Sequence, residues 1–152
     1  MTSSTGETRV ASASRLINAP SAAVFELIAD PARQPEWDGN DNLEKAADGQ
    51  RVHAVGETFT TDLTNGMTRE NHIVEFDEGR RIAWRPSEPG SKPPGHLWRW
   101  ELEPVGESKT RAIHTYDWTE LTDEGRMERA RNTTSDNLTA SLDRLAALAE
   151  RG

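Results

Sequence analysis

Apolar residues recur with a helical period over the end of the chain. Wound at 3.6 residues per turn from Thr122 to Glu150, the residues Met127, Ala130, Arg131, Thr134, Leu138, Ser141, Leu142, Leu145, Leu148 and Ala149 fall on one face. Thr122 is a fair N-cap, Asp123 and Glu124 carry the negative charge a helix start favours, and no proline interrupts the run. The pattern predicts one unbroken helix on the order of 40 Å long. Its inward face changes along its length. Leu138, Leu142, Leu145 and Leu148 read as core, whereas Met127, Ala130, Arg131 and Thr134 read as the wall of a space not filled by protein.

Upstream the period is shorter. Val10 to Ile17 predicts a strand, and Asn18-Ala19-Pro20-Ser21 a helix start that places Val24, Leu27 and Ile28 on one face until Asp30-Pro31 ends it. Ala32 to Trp37 predicts a second short helical piece, broken at Pro35 or closed by Asp38-Gly39. Period-two alternation then marks strands at Leu43–Ala46, Glu57–Leu63, Thr68–Phe76, Arg81–Arg85, Leu97–Glu103 and Lys109–Trp118. Asn65-Gly66 and Asp77-Glu78-Gly79 are hairpin signals. Ser87 to Gly95, with three prolines and two glycines, predicts a surface loop. Strand, two helices, six strands and a long helix make an antiparallel sheet with one apolar face, which needs a covering layer; the last helix supplies it.

Within this order several segments resemble the START-like superfamily (SRPBCC, Bet v 1-like), and within it the polyketide cyclase/dehydrase group. Arg15-Leu16-Ile17-Asn18-Ala19-Pro20, Val24-Phe25-Glu26-Leu27-Ile28, Asp30-Pro31 and Trp37 are similar to its opening. Ile73-Val74-Glu75-Phe76-Asp77 with Arg80 to Pro86 is similar to its central hairpin, and Trp98 to Leu102 and Thr110 to Tyr116 to its last strands. The resemblance spans Val10 to Ala149. It implies an α+β helix-grip fold: a curved seven-stranded antiparallel sheet wrapped around the long C-terminal helix, with two short helices between strands 1 and 2 and a ligand cavity between sheet and helix. It divides the chain into a flexible N-terminal tail, residues 1–8, and one domain, residues 9–152. For function it implies less, because the superfamily holds cyclases, hydrolases, lipid carriers and hormone receptors without a shared catalytic motif.

Charge and composition narrow the partners. The formal net charge of −8 argues against nucleic acid and against an anionic membrane surface, both of which reward clustered lysine and arginine. The absence of cysteine removes disulfides, thiolate metal sites and cysteine nucleophiles. No apolar run reaches the ~18 residues that span a bilayer, and Met1 to Thr8 lacks a secretory core, so a cytoplasmic protein without membrane insertion is expected. Five tryptophans against three phenylalanines and one tyrosine remain to be explained.

Alternation puts His96, Trp98, Trp100 and Leu102 on one strand face, Ala112, His114, Tyr116 and Trp118 on another, and Ile82 with Trp84 on a third. Aromatic residues with a few polar atoms are the usual lining of a small-molecule pocket. The expected ligand-binding set is therefore Trp84, His96, Trp98, Trp100, Trp118, Met127, Thr134 and Leu138; the alternative for any one tryptophan is core filling. His114 and Tyr116 are the candidates for proton transfer, with Arg131 to hold an oxyanion. The alternatives are an interior hydrogen-bonded histidine and an arginine that reaches the rim or pairs with Asp38. His72, His96 and His114 lack metal-site spacing, so neither metal nor other cofactor is expected. The expected partner is a small hydrophobic, aromatic or polyketide-like ligand, and the face of the last strands offers a surface on which two copies could pair as a homodimer. The sequence leaves three roles open: a cyclase-like enzyme, a non-catalytic carrier, and an interaction domain like the Hsp90-activating relatives.

Overall fold

The computed structural model describes residues 8–151; most of the expected N-terminal tail lies outside the described residues. Period-two segments form strands with boundaries within a residue or two of those expected. They are β1 (Val10–Ile17), β2 (Leu43–Lys45), β3 (Thr58–Leu63), β4 (Thr68–Asp77), β5 (Arg81–Ser87), β6 (Leu97–Pro104) and β7 (Thr110–Asp117). Between β1 and β2 lie α1 (Ser21–Ala29), a single 3₁₀ turn (Pro31–Arg33) and the one-turn α2 (Gln34–Trp37). Proline sits at the start of each of these last two pieces, where its missing N–H would have had no helical partner.

All seven strands join one antiparallel sheet in the order β1-β7-β6-β5-β4-β3-β2. The hairpin signals act as turns. Gly66 takes φ 88° while the Asn65 side chain accepts from the Met67 N–H at 2.9 Å, and Gly79 takes φ 80°. In β4 the register slips between Ile73 and Glu75, a bulge of the kind that bends a strand.

The C-terminal segment differs from expectation: it is two helices, α3 (Glu124–Asn132) and α4 (Ser135–Arg151). The chain leaves the helix at Thr133, at φ −88° and ψ 101°. Asn132-Thr133-Thr134-Ser135 is a run of residues whose short polar side chains bond nearby backbone instead of continuing a helix. Thr133 Oγ1 donates to the Arg129 carbonyl at 2.9 Å; Thr134 Oγ1 accepts from the Asp136 N–H at 3.3 Å; and Asn137 Oδ1 accepts from the Thr134 N–H at 3.0 Å. This reciprocal cap starts α4 afresh. At the other end Asp123, not Thr122, caps α3 by accepting from the Gly125 N–H at 2.9 Å.

Two cores result. The larger joins Leu142, Leu145, Ala146 and Ala149 of α4 to α1 and to the sheet through Ile17, Phe25, Ile28, Ile82 and Trp100. The smaller holds α3 down through Met127 and Ala130, packed with Tyr116, Trp118, Leu121 and Leu138. The loop after α2 is fastened to α4 at Gly39, whose N–H donates to Ser141 Oγ at 2.8 Å. A Cβ there would lie 2.6 Å from the Ser141 nitrogen, so only glycine permits this approach.

Candidate functional site

Cross-strand pairing assembles an aromatic wall. Trp84 of β5 faces Trp98 of β6, which faces Tyr116 of β7; one row along, Ile82, Trp100 and His114 align in the same way. Alternation sends these side chains to the inner face, where rings meet across strands. The His114 ring stacks on Trp100, with centroids 3.7 Å apart and planes 11° from parallel, and on Trp98 at 5.6 Å and 22°. Trp98 leans on Tyr116 at 4.4 Å, and Trp37, whose indole donates to the Leu27 carbonyl at 2.8 Å, meets Trp100 edge-on at 5.3 Å.

Between this wall and the helices is a cavity of about 300 Å³, within the size range of small-molecule sites. Its second wall is polar, built from Gln34, Asp38, Asn40, Asn42, Thr61, Asn71 and Asn137. These groups are largely engaged with the protein. Gln34 donates to the Ile28 carbonyl at 3.1 Å and Asn71 to the Phe59 carbonyl at 3.3 Å. Asp38 accepts from Asn40 Nδ2 at 3.1 Å, yet burial pushes its carboxyl above the usual carboxylate range. Arg69 of β4 and Arg129 of α3 stand at the rim.

The titratable groups of the aromatic wall are all held neutral at pH 7. Burial lowers His114 to about 3. Burial, with Arg69, Arg126, Arg85 and Arg129 nearby, lowers His96 to about 4. Burial raises the Tyr116 phenol to about 12, against the pull of Arg129, Arg69 and Arg126. His114 Nδ1 lies 3.0 Å from the Arg99 carbonyl, so this nitrogen carries the proton and Nε2 presents a lone pair. Trp100, fully buried and part of the cavity wall, has an Nε1–H with no partner.

Of the residues singled out from the sequence, Trp84, His96, Trp98, Trp100, His114 and Tyr116 line this cavity. Trp118, Met127 and Leu138 lie instead in the smaller core beneath α3. Arg131 and Thr134 border, with Trp118, a separate surface hollow against β1. The break lets α3 pack Met127 and Ala130 into the smaller core, so Arg129, Asn132 and Thr133 line the cavity in place of Arg131 and Thr134. The run of cap-forming residues from Asn132 to Ser135 was the available signal. Arg69 and Asn71 carried one too, since they alternate with Ile73 on the inner face of β4. His72 faces Ser87 Oγ at 3.0 Å and does not line the cavity, and no group of three potential metal ligands occurs among the described residues.

Residues 8–150 match the family described as polyketide cyclase/dehydrase and lipid transport. The chain belongs to this family. Among curated relatives, Rv0088 of Mycobacterium tuberculosis is 29% identical over 105 residues, covering 67% of this chain and 44% of the relative. The chain thus matches less than half the length of that relative. Among solved structures, protein MLL2253 of Mesorhizobium loti has a TM-score of 0.69 at 16% identity, covering 94% of this chain and 98% of its own. The Aha1 dimer of Colwellia psychrerythraea has a TM-score of 0.65 at 16% identity, covering 94% and 97%. At these identities the two structures establish the shared helix-grip fold. Among the described residues no helix is long and apolar enough to cross a membrane.

Proposed function

We propose that this polyketide cyclase/dehydrase-family domain binds a small aromatic or polyketide-like molecule in the cavity between the sheet and helices α3 and α4. The observation that carries this reading is the aromatic wall of Trp84, Trp98 and Tyr116 that lines a cavity of about 300 Å³. Flat rings fit alongside Trp98 and Tyr116, the half of the wall where the two rings lean together at 4.4 Å.

Binding without proton transfer is better supported than general acid–base catalysis. An imidazole near 3 is a poor base at neutral pH, and a phenol near 12 a poor acid. A cyclase-like role keeps one specific support: the neutral Tyr116 hydroxyl in the cavity lining could polarise a bound carbonyl. Native mass spectrometry of freshly purified protein tests the reading and reports stoichiometry in the same spectrum. The expected result is a retained small molecule that Trp98→Ala releases. A bare chain that takes up no aromatic ligand would favour a surface-interaction role instead. Turnover that follows an imidazole titration and vanishes in His114→Ala would move the assignment to an enzyme.

A further inference from the structure

Arginines of this protein are as a rule matched with carboxylates: Arg15, Arg33, Arg51, Arg81, Arg99 and Arg144 each approach one within 4.0 Å. Of the four arginines whose charge acts on His96, a cavity-lining residue, the rule holds for two and fails for two. Arg126 reaches Glu88 at 3.1 Å and Asp123 at 3.0 Å, and Arg85 lies 3.7 Å from Glu120. Arg69 and Arg129, the two that line the cavity, have no carboxylate within 4.0 Å among the described residues. Arg69 is partly buried, and its charged form is disfavoured first by that burial and then by Arg129 and Arg126, against a smaller opposing pull from Glu88, which is itself ion-paired with Arg126. A guanidinium does not shed its proton, so the site remains charged and underneutralised. In a chain of net charge −8, two such cations beside a cavity are not a general excess of base.

We infer that the ligand is an aromatic acid whose anionic oxygens are clamped by Arg69 and Arg129 while its ring lies along Trp98. This rests on the reading of the cavity as a small-molecule site and adds the charge of the occupant. A carboxylate, enolate or similar oxyanion supplies the missing counter-charge through charge-assisted hydrogen bonds. The Tyr116 hydroxyl stands in the field of the same two arginines, at the junction of the aromatic wall and the basic rim.

Two probes that differ by one anionic group test this: 8-anilinonaphthalene-1-sulfonate and N-phenyl-1-naphthylamine, its neutral counterpart without the sulfonate. Dissociation constants come from fluorescence titration with energy transfer from tryptophan. The expected result is at least tenfold tighter binding of the anion. Arg69→Gln and Arg129→Gln should each weaken the anion about tenfold, the usual effect of losing one charge-assisted hydrogen bond, and move the neutral probe less than twofold. Arg80→Gln, in the turn between β4 and β5 and outside the cavity lining, should change neither. Trp98→Ala should weaken both. 2-Naphthoate should displace the anionic probe, and inorganic phosphate at millimolar concentration should not.

Equal affinity for the two probes, or an Arg80→Gln effect as large as that of Arg69→Gln, overturns the acid assignment while leaving a small-molecule cavity intact. Displacement by phosphate overturns the aromatic part of it. Failure of both probes to bind, or binding indifferent to Trp98→Ala, overturns the cavity reading and the acid with it.

Discussion

Gly39→Ala is the most informative single change away from the cavity itself. The new methyl would lie 2.6 Å from the Ser141 nitrogen, 2.7 Å from the Ala140 Cβ and 2.8 Å from the Asn137 carbonyl oxygen. Two of these are backbone atoms of α4 and cannot swing aside. Because ordinary contact begins near 3.4 Å, the loop must withdraw by about 0.8 Å. The 2.8 Å hydrogen bond from Gly39 to Ser141 Oγ then stretches beyond bonding distance, leaving a buried hydroxyl without that partner. Overpacking costs about 1–3 kcal/mol and the lost bond about 1, so destabilisation of about 2–4 kcal/mol is expected. For a domain of this length that is a fall in Tm of about 4–16 °C. Urea denaturation at pH 7 measures it, with Ser141→Ala as the control that removes only the hydroxyl and should cost about 1 kcal/mol. A Gly39→Ala protein no less stable than Ser141→Ala would refute the reasoning, because the loop would then yield without resistance. Asp38, Asn40 and Asn42 ride on the same loop, so probe affinity should fall along with stability.

Leu145→Ala, at a fully buried position of α4 in the larger core, should cost about 2–5 kcal/mol in urea denaturation and leave probe affinity of the folded fraction within twofold. Histidine burial sets an acid limb. His114 and His96 titrate near 3 and 4 when folded but near 6.5 when unfolded, so the unfolded chain takes up protons first and stability falls as pH drops below about 6.5. His114→Gln should reduce the slope of stability against pH between about 6 and 4 by up to ~1.4 kcal/mol per pH unit, and an unchanged slope would show that His114 is accessible to protons. Treatment with a chelator should leave Tm unchanged, and a drop would reveal a metal that the histidines hold.

Strands and their order along the chain were legible because most alternate in period two, β4 as far as its bulge, and the hairpin turns carry glycines, as at Gly66 and Gly79. Half of the cavity was legible for the same reason, since Trp84, Trp98, Trp100, His114 and Tyr116 follow directly from period two. The other half was not. A helical stripe drawn in one phase cannot register two non-helical residues at Thr133 and Thr134; Met127 and Ala130 stayed on the buried side, but which face of α3 meets the cavity could not be read. The polar wall was hidden for a different reason. Asn40 and Asn42 reach the cavity from an irregular loop, where no periodicity says which way a side chain faces, and Gly39 draws that loop in through a contact more than a hundred positions away.

The interruption between α3 and α4 also divides labour along the chain. The residues that anchor α4 in the larger core, Leu142, Leu145, Ala146 and Ala149, are not those that face the cavity, and α3 touches the protein interior chiefly through Met127 and Ala130. Glu124–Asn132 is therefore an exchangeable cassette. With Met127, Ala130 and the ion-paired Arg126 kept, its remaining positions are expected to accept substitution at little expense to folding, and on the proposed reading Arg129 and Asn132, which line the cavity, are where a ligand would be discriminated. Diversification of ligand preference in such a scaffold, by selection in nature or in the laboratory, has a short segment on which to act, insulated from the packing that keeps the fold.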